Sequence, residues 1–403
     1  MKKLLILLLP FFLSLPAFAT NGDNMIAFGA RSRAMGGTGI AVKNLGFEAM
    51  LKNPAMVETP KEIEFGFGAS AFMPWIEAKN EAVGKSFDSA SNFFFIPSIG
   101  LLVDLGEHWS FGVGAFGTTG LGTDYRDSIT DGQAGGYGGL FGMSTSLSLL
   151  KMAAVASYHN KGWKLGIGIP VVMGSLGISY NMSNAMVDAT PTNFISPGAS
   201  TDFTAHVIIG AAYEFDNFVV GASYMSPATL EYDYQLTEAG KNFGLPITSN
   251  KLEQPGEIGV GVSYEADKLT ASFDYKLVQW SGADGYEGFG WDDQNVFAIG
   301  LSYRVSDSII RAGWNYGENP LGDNALKNEG PLAAINIFNI LGFPAIVEHH
   351  ITAGLTQVFD EKFELDFAMV YAPTVKESTS AMNMDFNVEH SQFSLTLGGR
   401  WMF

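Results

Sequence analysis

From about residue 62 to the last residue, apolar side chains return at every second position, and this alternation limits the fold more tightly than any other feature. Phe363, Leu365, Phe367, Met369 and Tyr371 alternate with Glu364, Asp366, Ala368 and Val370. The same beat runs through Ile351, Ala353, Leu355 and Phe359, and through Phe297, Ile299, Leu301 and Tyr303. Successive side chains of a strand point to opposite faces, so each segment has one apolar face and one small, polar or charged face. In a soluble sandwich the second face would be bulky and solvated. Here it is rich in Gly, Ala, Ser and Thr with a few charges, which suits the crowded interior of a closed barrel.

Fourteen segments carry the pattern: 62–73, 92–104, 109–119, 143–158, 163–180, 201–214, 218–234, 256–265, 269–280, 292–305, 308–316, 348–359, 363–374 and 388–403. Short polar turns such as His159-Asn160-Lys161-Gly162 and Ser306-Asp307 alternate with long connections at 74–91, 120–142, 181–200, 235–255, 281–291, 317–347 and 375–387. An even strand count, with short turns at one end and long loops at the other, is the plan of a bacterial outer-membrane barrel. The last segment places Phe393, Leu395, Leu397, Gly399, Trp401 and Phe403 on one face. A terminal aromatic on such a strand resembles the signal by which the barrel-assembly machinery recognises its clients.

Composition agrees. Charged residues are 16% of the 403, against roughly 25% in ordinary globular domains. No long uninterrupted apolar run follows residue 19; Pro331–Val347 comes nearest and contains Asn336, Asn339, Gly342 and Pro344. Spanning helices are therefore not expected. A net charge of −18 argues against nucleic acid as a partner, and the absence of cysteine excludes disulfides from the stability of an exported chain. Lys2 and Lys3, the apolar stretch Leu4–Leu15 and Ala17-Phe18-Ala19 read as a cleaved signal peptide covering 1–19.

Residues 20–61 lack the alternation and are too few for a core of their own. A fourteen-strand barrel leaves an interior that its own side chains do not fill, so the segment is expected inside, as a hatch, with 62–403 as the wall. Several pieces then resemble the FadL/TodX family of outer-membrane transporters: Asn21-Gly22-Asp23-Asn24, Arg33-Ala34-Met35-Gly36-Gly37-Thr38-Gly39-Ile40-Ala41, Asn53-Pro54-Ala55, Trp109–Gly117 with Leu121–Tyr125, and Phe338–His350. The stretch Val42–Lys52 departs from the family pattern, being longer and less acidic.

The resemblance implies an all-β, fourteen-stranded antiparallel transmembrane barrel plugged by its N-terminal hatch. It implies passive passage of hydrophobic molecules such as long-chain fatty acids or aromatic hydrocarbons. Capture among the loops leads to a pocket beside the hatch, then to sideways exit where the third strand kinks, near Ala115, Phe116, Gly117, Thr118 and Thr119. Asn53, Pro54 and Ala55 are expected at that kink, with the Asn53 amide meeting freed backbone, and Gly117 is expected to permit it. Phe28, Arg33, Phe338, Leu341 and Phe343 complete the candidate substrate and gating set. Arg31, Arg33 or Lys52 would meet a substrate carboxylate. Segment 326–347 carries Leu332, Ile335, Ile337, Phe338, Leu341 and Phe343, so it is either a capture surface or packing within the barrel mouth. Outer-membrane lipid and lipopolysaccharide are the expected surroundings, a monomer the expected state, and no cofactor, metal or catalytic residue is expected. Gly112-x-Gly114-x-x-Gly117 spells a dinucleotide motif without its helix. Glu348-His349-His350 opens a strand, where neighbouring side chains diverge. Arg304, Arg311, Arg400, Asp274, Glu364 and Asp366 face inward by parity, as lumenal ion pairs. A diffusion pore for polar solutes, a loop-borne adhesin or receptor, and a barrel enzyme are the rival classes.

Intact-mass measurement of the protein taken from the outer membrane is expected to give a chain starting at Thr20. A chain still carrying residues 1–19 would refute the signal assignment.

Overall fold

The computed structural model describes residues 20–403 except 83, 132–139, 182–193 and 382, with only the backbone given at 129–131. The expected signal segment and parts of the loops 120–142 and 181–200 lie outside the described residues. Fourteen strands form the wall: β1 (Ile63–Asn80), β2 (Phe94–Leu105), β3 (Trp109–Leu121), β4 (Ser144–Asn160), β5 (Trp163–Asn181), β6 (Ser200–Ala205 continued by Ile208–Phe215), β7 (Phe218–Met225), β8 (Glu257–Ala266), β9 (Leu269–Val278), β10 (Gln294–Val305), β11 (Ser308–Gly317), β12 (His349–Val358), β13 (Phe363–Ala381) and β14 (Met384–Met402). Each pairs antiparallel with its sequence neighbours, and β1 pairs with β14, from Glu64↔Met402 to Asn80↔Phe386, so the sheet closes. Closure leaves no edge to face lipid. Among the described residues no helix is long and apolar enough to cross a membrane.

The alternation has a direct physical cause. Outward positions such as Val113, Ile167, Ile169 and Ile310 are more than half exposed, while their neighbours point into the lumen. At the turn end, outward rings pair across strands: Trp109 with Tyr158 at 5.0 Å, Trp163 with Tyr213 at 4.7 Å and Phe363 with Trp401 at 5.0 Å. Aromatic girdles of this kind sit at the bilayer interface.

Three expected boundaries differ. The segment 218–234 stops as a wall strand at Met225, because Pro227 cannot donate to a ladder and Ser226 N turns to Val207 O at 2.9 Å. Residues Ala228–Glu231 pair instead with Lys251–Gln254 in a separate hairpin above the wall. The expected loops 74–91 and 375–387 are largely strand: β1 continues to Asn80 and is met by Lys85–Asp88, and β13 and β14 run on as one tall hairpin. Pro373, which has no N–H for the ladder, is absorbed in a bulge between Ala372 and Val375. In these upper stretches the outer face turns polar while Ile76, Ala78, Phe386 and Val388 are buried inside, so the parity of the apolar positions is reversed from that of the membrane-facing segments.

The lumen is filled by residues 20–61, almost all buried. The approach is close enough to require glycine in the wall. A Cβ on Gly313 would lie 2.2 Å from Gly36 N and 2.3 Å from Met35 C, both hatch backbone atoms. Gly313→Ala is therefore expected to cost about 1–3 kcal/mol. The measurement is the temperature at which the detergent-folded barrel loses its fast gel mobility; an unchanged temperature would contradict this packing.

Candidate functional site

The hatch shares one apolar cluster with the wall, from Met35 and Leu45 to Leu102 and Val155, and is tied to the lumen by polar contacts. A short helix, α1 (Ala30–Ala34), has no side-chain cap of its own. Glu48 supplies one from across the hatch, accepting Arg31 N at 3.0 Å and Ser32 N at 2.9 Å. Arg31 then reaches the wall, bonding Asp366 at 3.0 Å and also Glu364. Arg400 joins Glu364 at 2.8 Å to Glu64 at 3.2 Å, so β13, β14 and β1 share one buried charge network with the hatch. Further along, Asn315 Nδ2 donates to Gly36 O, Gly39 N and Ile40 N donate to Asp274 Oδ2, and Ser263 Oγ donates to Ala41 O. An irregular segment deep in a barrel needs such partners for its backbone.

The third strand carries the other feature. β2 and β3 pair from Leu105↔Trp109 to Ser98↔Phe116 and no further. On the opposite edge of β3 the register with β4 jumps between Gly117 and Thr119, leaving Thr118 as the extra residue of a bulge. Above that point Phe94–Pro97 of β2 and Gly117–Leu121 of β3 are adjacent without ladder pairs, and Pro97 has no N–H to orphan. The hatch takes up part of the freed edge: Met25 N donates to Thr118 O at 3.1 Å, Asn24 bridges to Thr119, and Thr119 Oγ1 donates to Asn24 Oδ1 at 3.0 Å.

The kink thus falls at the expected place, but its partner is different. Asn53 sits against β6, three strands further round the wall, donating Nδ2 to Ile40 O at 2.7 Å and to Ala211 O at 3.3 Å, while its Oδ1 caps Ala55 N. Pro54 and Ala55 press against Gly166 of β5, where a Cβ would stand 2.2 Å from Pro54 C. The Asn53–Pro54–Ala55 element therefore props β5 and β6, and the kink is met by Asn24 and Met25. Gly117 also differs from expectation. A Cβ there would lie 2.5 Å from Ile96 Cγ2, so this glycine admits the Ile96 side chain across the unpaired stretch.

Phe116 points inward and is fully buried, stacked on Phe47 at 5.8 Å and edge-on to Phe28 at 6.4 Å. Ala115 lies half-buried on the other face of the strand. Nothing in the sequence pattern singles out Phe47. Its socket is Gly66 and Gly100, which are register partners on β1 and β2, and only the pairing reveals that two glycines face one ring. Arg33 is buried beside Ala27 O and Ser394 Oγ, away from any described cavity. Arg31 is committed to Asp366 and Glu364. Lys52 alone of the three candidate cations lines the cavity beside the hatch; its Nζ donates to Ile26 O and Gly37 O, and burial pushes its ammonium down to about 8.

Cavities descend from the loops. An outer groove of about 620 Å³ lies between the loop helix α2 (Leu236–Phe243) with its following strand-turn, the 284–290 turn, and Leu332 and Ile335. Leu236 and Phe289 also line a small apolar cavity of about 20 Å³ beneath it, together with Leu121, Trp291 and Phe343. Phe338 seals this region, edge-on to Phe243 at 4.8 Å and to Phe289 at 6.1 Å, and Leu341 O accepts Thr123 Oγ1. Segment 330–343 is thus mostly packed in the barrel mouth, with Leu332 exposed. Below lies a cavity of about 40 Å³ against the hatch, lined by Met25, Ile26, Phe28, Leu51 and Lys52. A polar vestibule of about 430 Å³ opens at the turn end, around Arg304, Arg311 and Lys43, and shares no lining residue with the cavity above. His349 packs outside against Tyr316 at 4.8 Å while His350 is buried inside, so the two histidines do diverge.

A closed fourteen-strand barrel, blocked by its own N-terminal segment and interrupted at one strand, defines a plugged outer-membrane transport channel. The chain belongs to the outer membrane protein transport family (OMPP1/FadL/TodX), whose model matches residues 16–400. It is a transport protein and not an enzyme. Its fold is similar to that of the Pseudomonas putida toluene transporter TodX, at 20% identity over 94% of this chain and 99% of that one, with a TM-score of 0.69. The Ralstonia pickettii toluene transporter TbuX gives 20% identity, 95% and 99% coverage and a TM-score of 0.64. A Pseudomonas aeruginosa FadL homologue gives 14%, 96% and 99%, and 0.63. A Chlorobium limicola protein, described as an uncharacterized protein in the phosphoenolpyruvate carboxykinase gene 5'region, is 43% identical over 76 residues, or 18% of this chain; the match spans 37% of that protein's length.

Arg31→Ala leaves Glu364 and Asp366 without their hatch cation, and losing one partner of a buried pair costs about 3–5 kcal/mol. Hydrogen exchange of residues 25–57 is expected to quicken while β1–β14 keep their protection. Equal exchange in both proteins would show that the network does not hold the hatch.

Proposed function

We propose that this chain carries hydrophobic small molecules, aromatic hydrocarbons or long-chain fatty acids, across the outer membrane without an energy source. Solute collects in the groove beside α2, passes Phe289 and Phe343 to the cavity beside Phe28, and leaves sideways into lipid between β2 and β3. The observation that carries this reading is the loss of β2–β3 pairing above Ser98 and Phe116, beside a bulge that the hatch itself touches. Unpaired backbone in lipid costs several kcal/mol per group, so a wall keeps such a stretch only under a strong constraint. The driving force is ordinary: burial of apolar area gains about 25 cal/mol per Å², and a water-filled lumen offers none of it.

The separate cavities on the two sides of the hatch speak against a general diffusion pore. Neither adjacent cavity holds a benzene-sized body, for which about 150 Å³ serves. Side chains must therefore move, and Phe28 is the half-buried hatch ring that lines the cavity and touches Phe116. In this reading Phe116, Gly117 and Thr118 frame the exit, Phe28 bounds the pocket, Phe338, Leu341 and Phe343 form its roof, and Asn53–Pro54–Ala55 hold the hatch in register. The protein acts as a monomer in outer-membrane lipid and lipopolysaccharide, delivered there by the barrel-assembly machinery after signal cleavage.

Removal of Thr118 restores an even count on β3 and lets it pair with β2. Uptake of a hydrophobic solute by cells expressing this variant is expected to fall at least about tenfold, with folding, read as heat-modifiable mobility, unchanged. Uptake equal to that of the native chain would refute sideways exit. A large steady ion conductance of the native barrel would favour the diffusion-pore class instead.

A further inference from the structure

Three residues lining the cavity beside the hatch hold a buried side-chain atom without a partner, and all three atoms are oxygens that accept. The register sets Asp274 of β9 opposite Ala298 of β10, and Ala298 opposite Asn315 of β11. All three line the cavity. Neighbouring strands are spaced by about 4.8 Å, so the two polar residues stand about 10 Å apart with only a methyl group between them. Asp274 spends Oδ2 on Gly39 N at 2.7 Å and Ile40 N at 3.0 Å, while its Oδ1 is buried without a partner. Asn315 donates Nδ2 to Gly36 O at 3.0 Å, which fixes the amide and leaves its Oδ1 buried and unpartnered. Asn21, lining the same cavity, has a third such oxygen.

The cations beside them are already engaged. Lys276 Nζ is 2.8 Å from Glu257, and Lys52 Nζ donates to Ile26 O and Gly37 O. The buried groups of this cavity that lack a partner are therefore all acceptors. A carboxylate head carries no hydrogen for these oxygens and would sit beside the Asp274 and Glu257 carboxyls, and an ammonium head would sit beside Lys52 and Lys276. A neutral hydroxyl supplies the missing donor, and a buried acceptor that gains one recovers a lost hydrogen bond. At about 40 Å³ the space exceeds the roughly 10–15 Å³ that a water-sized group needs. The head fits as the cavity stands, and the apolar body would lie toward Ile26, Leu51 and Ile208 once Phe28 swings aside.

We infer that this cavity selects neutral apolar molecules bearing a hydroxyl, phenols or alcohols, over hydrocarbons and carboxylates of equal size. The inference rests on the reading of the chain as a channel for hydrophobic solutes. Its test is calorimetric titration of the purified full chain in detergent with p-cresol, toluene and p-toluate, each corrected for partition into empty micelles. p-Cresol is expected to bind at least about tenfold more tightly than toluene, with p-toluate weakest. Asn315→Ala should bring the cresol-to-toluene ratio towards one. Ala298→Leu, which fills the space between the acceptors and removes no hydrogen bond to the hatch, should remove the cresol preference even if the Asn315 variant fails to fold. Toluene binding as tightly as p-cresol would overturn the inference, as would p-toluate binding tightest or a preference that survives Ala298→Leu. Uptake of toluene by expressing cells separates the two levels. Uptake without any hydroxyl preference defeats the inference and leaves the channel reading intact. Absence of uptake for every hydrophobic solute defeats the channel reading itself.

Discussion

A bilayer contains no water to satisfy a backbone, and every large feature of this protein follows from that deprivation. Fourteen strands close on themselves because β1 must find β14 or leave a row of amides in hydrocarbon. The same demand operates inside, where the hatch has little regular structure and must borrow partners. It finds them in Asp274, Asn315, Ser263 and Glu48, side chains placed where Gly36, Gly39, Ile40, Ala41 and α1 need them. The departure at β2 and β3 stands out against this background. It is bounded by a proline, attended by Asn24 and Met25, and bulged by a single residue.

The barrel is legible in the sequence because lipid and lumen enforce a strict two-residue period, and the count of fourteen survives. The legibility stops where the enforcement stops. Above the membrane β13 and β14 turn polar outside and bury Phe386 and Val388 inside, and the stretch around Val375–Ser380 looks like a loop until the pairing with Asp385–His390 is seen. Pro227 and Pro373 carry the same letter and opposite outcomes: one ends a wall strand, the other rides in a bulge. Sequence position cannot tell these apart, since each outcome depends on a neighbour far along the chain.

The site divides similarly. The kink near Gly117 is visible through glycine content and resemblance. Resemblance points to Asn53 as its contact, yet the hatch reaches it with Asn24 and Met25, because only the path of the hatch through the lumen decides which polar residue arrives there. Phe47 leaves no trace, since its socket is made by Gly66 and Gly100 from two strands. Arg31 reads as a possible substrate partner; Asp366 and Glu364 of the wall make it a structural cation instead.

The unequal heights of the strands have a mechanical consequence. β13, β14 and β5 run for 19 residues, whereas β7 has 8 and β9 and β12 have 10. About 9–11 tilted residues suffice to cross the hydrocarbon, so the short flank stops at the bilayer surface and the tall flanks stand clear of it. The rim is therefore stepped, with a parapet on one side only. Access to the mouth along the bilayer surface is thus over a low sill on the β7 to β12 flank and over a high wall on the β13, β14 and β5 flanks.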